Sequence, residues 1–295
     1  MPRGNGCCSR MSRPTVQLFV NPQAGFWSHA RTRALCSALE VLGAQILLTE
    51  SVSDRLVIDE RADHVCAVGG DGTLRHVVDA VRRTGRPIPI SAYPAGTVNL
   101  LAMECAYPRD PDAFARRLLE TGKPRRHYVA LIGQTPLLTC ASVGPDSLTV
   151  ENLSPRLKRL IGRAAYLVAF GKVLMRWRRT KITLLHDGRR TECEAVYIAK
   201  GRFFAGRWSF ASEASVGDPL LHVVALRQAS RIGFVVFAWT LLRRRPIEQL
   251  AGVQCFTCTE LTICSGDAPP LQADGDVVAH LPVSIAIEAE AIHFA

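Results

Sequence analysis

The stretch CAVGGDGTLRHVVDAV, residues 66–81, joins an apolar run to a helical pattern through Gly69-Gly70-Asp71-Gly72-Thr73. Glycine loses more backbone entropy on ordering than any other residue, so three glycines around one carboxylate indicate that bare backbone is needed there. A strand, a glycine-rich turn and a helix start together direct backbone N–H groups at phosphate oxygens, helped by the positive end of the helix. The stretch therefore predicts an anion-binding turn, with Thr73 as the N-cap of the helix.

The turn matches neither of two common phosphate-binding motifs. It lacks the lysine of G-x-x-x-x-G-K-[ST], and its glycines do not have the G-x-G-x-x-G spacing. A carboxylate beside a phosphate is repulsive unless a divalent cation bridges them, so Asp71 suggests a nucleotide bound with Mg²⁺. Residue types alone leave a second interpretation open, an ordinary tight turn in which Asp71 caps the backbone.

The chain from Thr15 to about Arg126 alternates short apolar runs with helical patterns. These patterns predict buried strands at 16–20, 44–48, 64–68 and 88–93, and helices at 28–43, 52–62 and 73–85. Alternating strands and helices indicate a doubly wound parallel α/β domain, in which ligands lie beyond the carboxyl ends of the strands. Turns at 21–25 and 94–99 follow two other predicted strands, so we expect all three turns to meet in one crevice.

From about Tyr128 the sequence consists mainly of short, alternating, β-branched segments, which predict an antiparallel β-sandwich-like domain. Helical patterns at about 155–178 and 230–243 interrupt it. Length also favours two domains, because 295 residues is long for one core. The predicted division is an α/β nucleotide-binding domain at 14–127, completed by 284–295, a β-rich substrate domain at 128–283, and a disordered tail at 1–13.

The net charge of +10 indicates an anionic partner. Residues 156–181 contain nine Lys or Arg and no acid, and their apolar residues recur at helical spacing. That composition is typical of a helix on an anionic membrane surface, although a core helix with a solvated basic face is an equal alternative. The segment 230–245, an apolar run followed by three arginines, is open to the same two interpretations. Aromatic residues are not interleaved with the basic ones, which argues against nucleic acid.

We expect a cytoplasmic protein that is at most peripheral on the inner face of the membrane. No apolar run reaches the roughly 18–20 residues that cross a bilayer, and the N-terminal residues show no apolar secretory segment.

Three motifs resemble the diacylglycerol kinase catalytic domain superfamily, which includes sphingosine kinases, ceramide kinases and soluble bacterial lipid kinases. They are Asn21-Pro22-x-x-Gly25, Gly69-Gly70-Asp71-Gly72-Thr73 and Pro94-x-Gly96-Thr97-x-Asn99. Later segments at 141–147, 216–224 and 273–277 extend the resemblance to the soluble bacterial branch over nearly the whole chain. The glycine-rich motif also occurs in NAD kinases, so it identifies only the fold group by itself.

The resemblance implies ATP- and Mg²⁺-dependent phosphorylation of a lipid hydroxyl, with Asp71 and Asp276 as catalytic residues. The general base of the family is the glutamate of an Asp-Gly-Glu triplet, which here is Asp274-Gly275-Asp276. A plain hairpin turn is the alternative for this triplet. The residues implied to contact ATP are Asn21, Pro22, Gln23, Ala24, Gly25, Thr49, Gly69, Gly70, Asp71, Gly72, Thr73, Leu74, Arg75, Gly96, Thr97, Asn99 and Asp274. A family metal site maps to Ser215, Asp218 and Leu220.

Three charged positions of the family are absent from this chain. Phe26 and Trp27 stand where a lysine is common, Leu100–Met103 replaces an Asp and an Arg, and the acid before the second domain is replaced near Tyr128. Arg75 and Lys200 are candidate substitutes. Two other functions remain open, an NAD-kinase-like enzyme and a degenerate lipid- or nucleotide-binding module. The lipid (diacylglycerol, monoacylglycerol or sphingoid base) and the oligomeric state, monomer or dimer, are also left open.

Overall fold

A computed structural model of the chain describes residues 13–51, 55–120, 124–152 and 168–295. The strands are β1 Thr15–Val20, β2 Gln45–Glu50, β3 His64–Gly69, β4 Ile90–Pro94, β5 Arg125–His127, β6 Ala130–Ile132, β7 Thr135–Leu137, β8 Cys140–Val143, β9 Ile182–His186, β10 Arg189–Cys193, β11 Ala195–Ala199, β12 Leu221–Leu226, β13 Val253–Cys258, β14 Glu260–Cys264, β15 Pro270–Ala273, β16 Asp276–His280, β17 Val283–Ile287 and β18 Ile292–Phe294. The helices are α1 His29–Val41, α2 Asp71–Thr84, α3 Leu100–Glu104, α4 Pro111–Glu120, α5 Pro145–Asn152, α6 over 168–176 and α7 Arg231–Leu242, with a 3₁₀ turn at Ile247–Gln249.

The first sheet has the strand order β2-β1-β3-β4-β18-β5, and β1 to β4 are parallel. Every residue of β1, β3 and β4 is buried, as expected for strands covered on both faces. The chain passes from β1 outward to β2 and then returns to the other side of β1 as β3. A crevice forms at the carboxyl ends of strands at such a reversal, so the fold directs a ligand to the ends of β1 and β3.

The second part of the chain forms two six-stranded antiparallel sheets. One has the order β10-β9-β14-β17-β6-β7 and the other β13-β12-β11-β8-β15-β16. Side chains from both sheets share one core, which confirms the predicted β-sandwich. Strand β11 is buried on both faces because Val196 and Ile198 point into the sandwich while Tyr197 packs in a second core with α7. The chain then returns to the first sheet, where β18 pairs with β4 and β5.

Two local predictions are wrong for reasons of side-chain hydrogen bonding. The predicted helix over 52–62 is not helical in its described part, 55–62. Leu56 and Ile58 are buried at a spacing of two, and Gln17 of β1 binds Val57 O (3.1 Å) and Asp59 N (2.9 Å). Hydrogen bonds from the Gln17 side chain therefore hold this segment to the first sheet in a conformation that is not helical. The predicted helices at 28–43, 73–85 and 230–243 are present as α1, α2 and α7. Of the helix predicted at about 155–178, residues 155–167 lie outside the described residues, and residues 168–176 are helical as α6.

The N-cap of α2 is Gly70, whereas the sequence predicted Thr73. The hydroxyl of Thr73 instead accepts a hydrogen bond from Asn21 Nδ2 (2.9 Å), so it fastens the turn to the end of β1. A Cβ on Gly69 would lie 2.4 Å from Thr73 Oγ1, which is why the strand must end in glycine. Thr73 thus joins two turns of the crevice.

We predict that Gly96→Ala destabilises the fold. A Cβ at this position would lie 2.4 Å from Gly70 Cα and 2.8 Å from Asn99 Oδ1, so two turns would have to move apart. Overpacking of this kind costs about 1–3 kcal/mol. Urea unfolding should show this loss for Gly96→Ala, whereas Gly266→Ala, which has open space at its Cβ, should behave like the wild type. Equal stability of the two variants would contradict the close approach.

Candidate active site

The three predicted turns meet at the carboxyl end of the first sheet. Asn21 N, just after β1, donates to Val68 O of β3 (3.0 Å), and Phe26 N donates to Ala95 O after β4 (2.9 Å). Ala95 N in turn donates to Gly69 O (3.0 Å). Main-chain hydrogen bonds therefore join the turns directly, and the crevice does not depend on side chains alone.

The start of α2 supplies backbone donors to this crevice. The first bond within the helix runs from Leu74 N to Gly70 O (3.0 Å). The N–H groups of Gly72 and Thr73 therefore have no acceptor inside the helix, as is general for the first turn of a helix. Such donors, together with the positive end of a 14-residue helix, fit a phosphate group.

Asp71 caps the neighbouring helix α3. Its Oδ2 accepts a hydrogen bond from Leu100 N (3.0 Å) and its Oδ1 accepts one from Leu101 N (3.2 Å). The N-cap residue Asn99 makes no side-chain bond to α3, so Asp71 takes over that function. Burial, together with the weaker effect of the negative charge of Asp274, raises the pKa of Asp71 to about 6. Asp71 therefore does cap backbone N–H groups, as the second interpretation from the sequence suggested, but these groups belong to α3 and not to its own turn.

The turn after β4 is held by Asn99 in the left-handed conformation, at φ 58°. Its side chain accepts from Gly96 N (2.8 Å) and donates to Gly96 O (2.6 Å). Thr97 is exposed, and its Oγ1 lies 3.0 Å from the position of a Cβ on Gly25. Thr97 thus faces the first turn across the crevice.

The Asp-Gly-Asp triplet lies at the β15–β16 hairpin, and its two carboxylates point to different places. Asp274 is buried and accepts hydrogen bonds from Leu138 N (2.9 Å), Thr139 N (2.8 Å) and Thr139 Oγ1 (2.6 Å). It therefore fastens the hairpin to the residues before β8. The structure gives Asp274 a positioning role within the protein, where the family resemblance implied an ATP contact.

Asp276 is the triplet residue that reaches the glycine-rich turn. Its Oδ2 accepts from Arg75 Nη2 (2.9 Å) and lies 3.1 Å from the position of a Cβ on Gly72. Arg75 Nη1 also donates to Ala273 O (3.0 Å), so one guanidinium holds both the hairpin backbone and the carboxylate. The Asp276 side chain remains 45% exposed and is accessible from the crevice.

A series of hydrogen-bonded polar side chains supports the β15–β16 hairpin. Gly275 N donates to Gln272 Oε1 (3.1 Å), and Gln272 Nε2 donates to Ser142 Oγ (2.7 Å). Ser142 Oγ in turn donates to Asp146 Oδ2. Burial raises the pKa of Asp146 to about 6. The sequence indicated Ser142 and Asp146 only through the family match at 141–147, and it gave no signal for Gln272.

Some residues implied to contact ATP are engaged in contacts within the protein. Leu74 is 2% exposed and packs in the core of the first domain. Thr49 lies on the outer strand β2, where its hydroxyl accepts from Gln17 Nε2 (3.3 Å). In the first turn, Asn21 Oδ1 accepts from Gln23 N (2.9 Å) and Asn21 O from Ala24 N (3.1 Å), so Pro22 lies inside a closed turn.

The residues predicted to bind a metal, Ser215, Asp218 and Leu220, do not fit a divalent cation. The carbonyl oxygens of Ser215 and Asp218 accept hydrogen bonds from Lys200 Nζ, at 3.2 and 2.7 Å. Leu220 ends the same loop immediately before β12. Lys200 is fully buried, and burial lowers its pKa to about 8. Its ammonium group therefore binds this loop and does not substitute for a lost phosphate ligand.

Carboxylates near the glycine-rich turn are the remaining metal candidates. Within the described ranges, no group of three or more His, Cys, Asp or Glu side chains is arranged to hold a metal ion. Asp71 contacts the neighbouring helix α3, and Asp276 lies beside Gly72 of the turn. A cation bound with a nucleotide could use them as ligands beside phosphate oxygens, as is usual for Mg²⁺.

Comparison with known proteins identifies the family. Residues 15–130 match the diacylglycerol kinase catalytic domain, and residues 139–295 match the YegS C-terminal NAD kinase beta sandwich-like domain. The chain belongs to the YegS-like lipid kinases. The family assignment made from the sequence motifs is thereby confirmed.

Individual relatives support the same family. A protein of Pseudomonas aeruginosa named a YegS-like lipid kinase is 32% identical over 229 residues, which cover 73% of each chain. A similarly named protein of Pseudomonas putida is 30% identical, over 63% of this chain and 64% of its own length. A crystal structure of a diacylglycerol kinase from Bacillus anthracis has a TM-score of 0.73 at 17% identity, covering 97% of this chain and 98% of its own. At that identity, the likeness shows the shared fold.

We predict that Asp146 makes stability depend on pH. Its pKa rises from 3.8 to about 6 on folding, so the folded chain binds this proton more tightly. Its stabilising contribution is complete below pH 3.8 and is lost as the pH rises through about 6. The thermodynamic linkage between proton binding and folding puts the lost free energy of unfolding at roughly 3 kcal/mol.

Asp146→Asn keeps the hydrogen-bonding capacity and removes this titration. The unfolding free energy of the variant, measured in urea, should therefore rise relative to the wild type between about pH 4 and pH 8. Asp267→Asn, at an exposed position, should follow the wild type throughout. Parallel profiles for Asp146→Asn and the wild type would show that Asp146 is not buried as an unfavourable charge.

Proposed function

We propose that the protein transfers the γ-phosphate of ATP to the hydroxyl group of a lipid. The observation that supports this most strongly is the position of the Asp276 carboxylate. It comes from the second domain and lies beside Gly72, at the N-terminus of α2 where phosphate is expected. A proton acceptor next to a phosphate site is the arrangement that phosphoryl transfer to an alcohol requires.

In this proposal, the N–H groups at the start of α2 and the three turns bind the triphosphate. A new bond forms between the lipid oxygen and the γ-phosphorus, the bond from that phosphorus to the β-phosphate oxygen breaks, and ADP leaves. Asp276 accepts the hydroxyl proton, and Arg75 holds the carboxylate in place. Mg²⁺, when bound with ATP, neutralises phosphate charge near Asp71.

An apolar cluster next to the turn favours a lipid over a nucleotide as the acceptor. Leu100, whose N–H binds Asp71, belongs to a core that continues through Tyr197 to Phe234 and Phe237 of α7. Partly buried Met103 and Phe203 pack against this core. Apolar side chains therefore extend from the proposed reaction centre to the helix whose outer face is exposed. This continuity supports an acyl-bearing substrate such as diacylglycerol, monoacylglycerol or a sphingoid base.

The proposal predicts ATP-dependent labelling of lipid that requires Asp276. Purified protein is incubated with γ-³²P-labelled ATP, Mg²⁺ and a total lipid extract, and the products are separated by chromatography. Removing a general base typically lowers turnover by about 10²–10⁴-fold, and Asp276→Asn should fall within that range. Asp267→Asn, an exposed aspartate on the same domain, is the matched control and should keep full activity.

A parallel reaction with NAD as acceptor separates the alternatives. Labelled NADP without labelled lipid would indicate an NAD-kinase-like enzyme. ATP binding without transfer to any lipid class would indicate a binding module. Lipid labelling that Asp276→Asn leaves unchanged would remove Asp276 from the mechanism.

We further propose that α7 and residues 168–181 dock on an anionic bilayer. Ile232, Val235 and Trp239 lie on one exposed face of α7, at 77%, 61% and 55% exposure. Arg243 to Arg245 follow this face, and residues 168–181 add further exposed Lys and Arg with no acid. An apolar face beside basic residues complements the acyl region and the headgroups of an anionic membrane. Within the described ranges, no helix is long and apolar enough to cross a bilayer.

Membrane docking predicts that Val235→Ser weakens binding to vesicles containing phosphatidylglycerol. Burying one valine side chain contributes about 1.5 kcal/mol, so cosedimentation should show roughly tenfold weaker partitioning. Val41→Ser changes an 83% exposed valine on α1 and should leave partitioning unchanged. Vesicles of phosphatidylcholine alone should bind every protein weakly. Equal binding by the two variants would place the docking surface elsewhere.

A further inference from the structure

The loop before β12 is organised around a buried ammonium group. Lys200 Nζ donates to three backbone carbonyls, those of Ser215 (3.2 Å), Val216 (3.0 Å) and Asp218 (2.7 Å). A lysine ammonium has three N–H donors, so these three acceptors satisfy it completely. Lysine is almost never fully buried without such partners, yet Lys200 has no exposed surface. The loop is therefore built around a cation that belongs to the chain itself.

The strand order explains how Lys200 reaches the loop. Lys200 directly follows β11, and the loop directly precedes β12, which is the antiparallel neighbour of β11 with Ala199 opposite His222. Lys200 N also donates to Thr139 O (2.7 Å), which fixes its backbone. The ammonium group and the loop are thus held at the same end of two paired strands.

The loop lies where the two domains meet. Val216 O accepts from Tyr128 N (3.1 Å) as well as from Lys200, and Tyr128 directly follows β5 of the first sheet. Asp218 N donates to Ser215 O (3.1 Å), and Gly217 N donates to Ser215 Oγ (3.2 Å), so the loop closes on itself. Lys200 therefore binds the loop at the passage from the first domain to the sandwich.

The charges and distances suit an ammonium group and disfavour a second cation. The three separations, 2.7–3.2 Å, are those of N–H···O hydrogen bonds, whereas Mg²⁺ binds oxygen at about 2.0–2.1 Å. Asp218 and Glu104 lie close enough to favour the charged form of Lys200. A divalent ion among the same carbonyls would face the buried ammonium at short range, where repulsion is weakly screened.

We propose that the ammonium group of Lys200 holds the 215–220 loop in the place that the family resemblance gives to a divalent cation. The stability of this loop is then independent of metal ions. Any requirement of the protein for Mg²⁺ arises at the nucleotide and not at this loop. The inference does not depend on the proposed catalytic function, because it concerns the folded chain without substrates.

Thermal unfolding of the nucleotide-free protein tests whether the stability of the loop is independent of metal ions. The Tm of the wild type should be the same in EDTA, in Mg²⁺ and in Ca²⁺. Asp218→Asn should show the same insensitivity. A wild-type Tm that falls in EDTA, recovers in a saturable way with Mg²⁺, and loses this response in Asp218→Asn would overturn the proposal, because a metal would then be bound at the loop.

The variant Lys200→Met tests whether the ammonium group holds the loop. It removes the ammonium group and takes one hydrogen-bond donor from each of three carbonyls, of which those of Ser215 and Val216 keep a bond from Asp218 N and Tyr128 N. The Tm should therefore fall by about 5–10 °C. Mg²⁺ or Ca²⁺ should restore part of this loss, because the vacated oxygens and the Asp218 carboxylate can then bind a cation. Lys181→Met, at an exposed lysine, should match the wild type in all three solutions.

Other outcomes are also decisive. A Lys200→Met protein that folds only when a divalent cation is present would support the proposal. A folded Lys200→Met protein with the wild-type Tm would refute it, since the loop would not need the ammonium group. If Lys200→Met does not fold under any condition, the comparison of EDTA with Mg²⁺ on the wild type and Asp218→Asn decides alone.

Discussion

The guanidinium group of Arg75 joins the two domains at the point where the site is formed. Arg75 as a whole residue is 8% exposed, and its guanidinium group donates to Ala273 O and to the Asp276 carboxylate. These partners are 198 and 201 residues away along the chain. The bonds bring a hairpin of the sandwich onto the first turns of α2 and place Asp276 beside Gly72. This ion pair therefore holds the phosphate-binding turn of the first domain beside the proposed base of the second.

Three buried or half-buried carboxylates also position the parts of the site. Asp71 caps α3, Asp274 binds the backbone before β8, and Asp146 supports the hairpin through Ser142. Each has exchanged water for hydrogen bonds from the protein, and burial raises the pKa of both Asp71 and Asp146. Such buried polar contacts are directional, so they hold turns that apolar packing alone would leave imprecise. The site therefore accepts some loss of stability at neutral pH in return for fixed geometry.

The cations of this chain are distributed differently from those of the family motifs. Phe26 and Met103 stand at positions where the family has charge, while Arg75 and Lys200 are buried and bind the protein itself. Arg75 orients a catalytic candidate, and Lys200 holds a loop at the domain boundary. Both act by fixing backbone and carboxylate oxygens. This distribution leaves the backbone N–H groups of α2 as the main phosphate donors in the proposed function.

Short-range patterns in the sequence were sufficient for the architecture. Apolar periodicity and glycine-rich turns predicted β1, β3, β4 and α2, because these depend on which faces are buried along a few consecutive residues. The same turns predicted a crevice at one sheet edge, since parallel strands end together. The segment at 52–62 was mispredicted because Gln17, from another strand, supplies hydrogen bonds that compete with a helix.

Long-range partners could be assigned only from the tertiary structure. The family resemblance implied catalytic roles for Asp71 and Asp276 and an ATP contact for Asp274. Folding gives them three different protein partners: the start of α3, Arg75, and the backbone at 138–140. The resemblance also suggested a metal at 215–220, where Lys200 binds instead. A sequence determines which residues can make hydrogen bonds and ion pairs. Which donor meets which acceptor depends on how strands far apart in the chain are brought together.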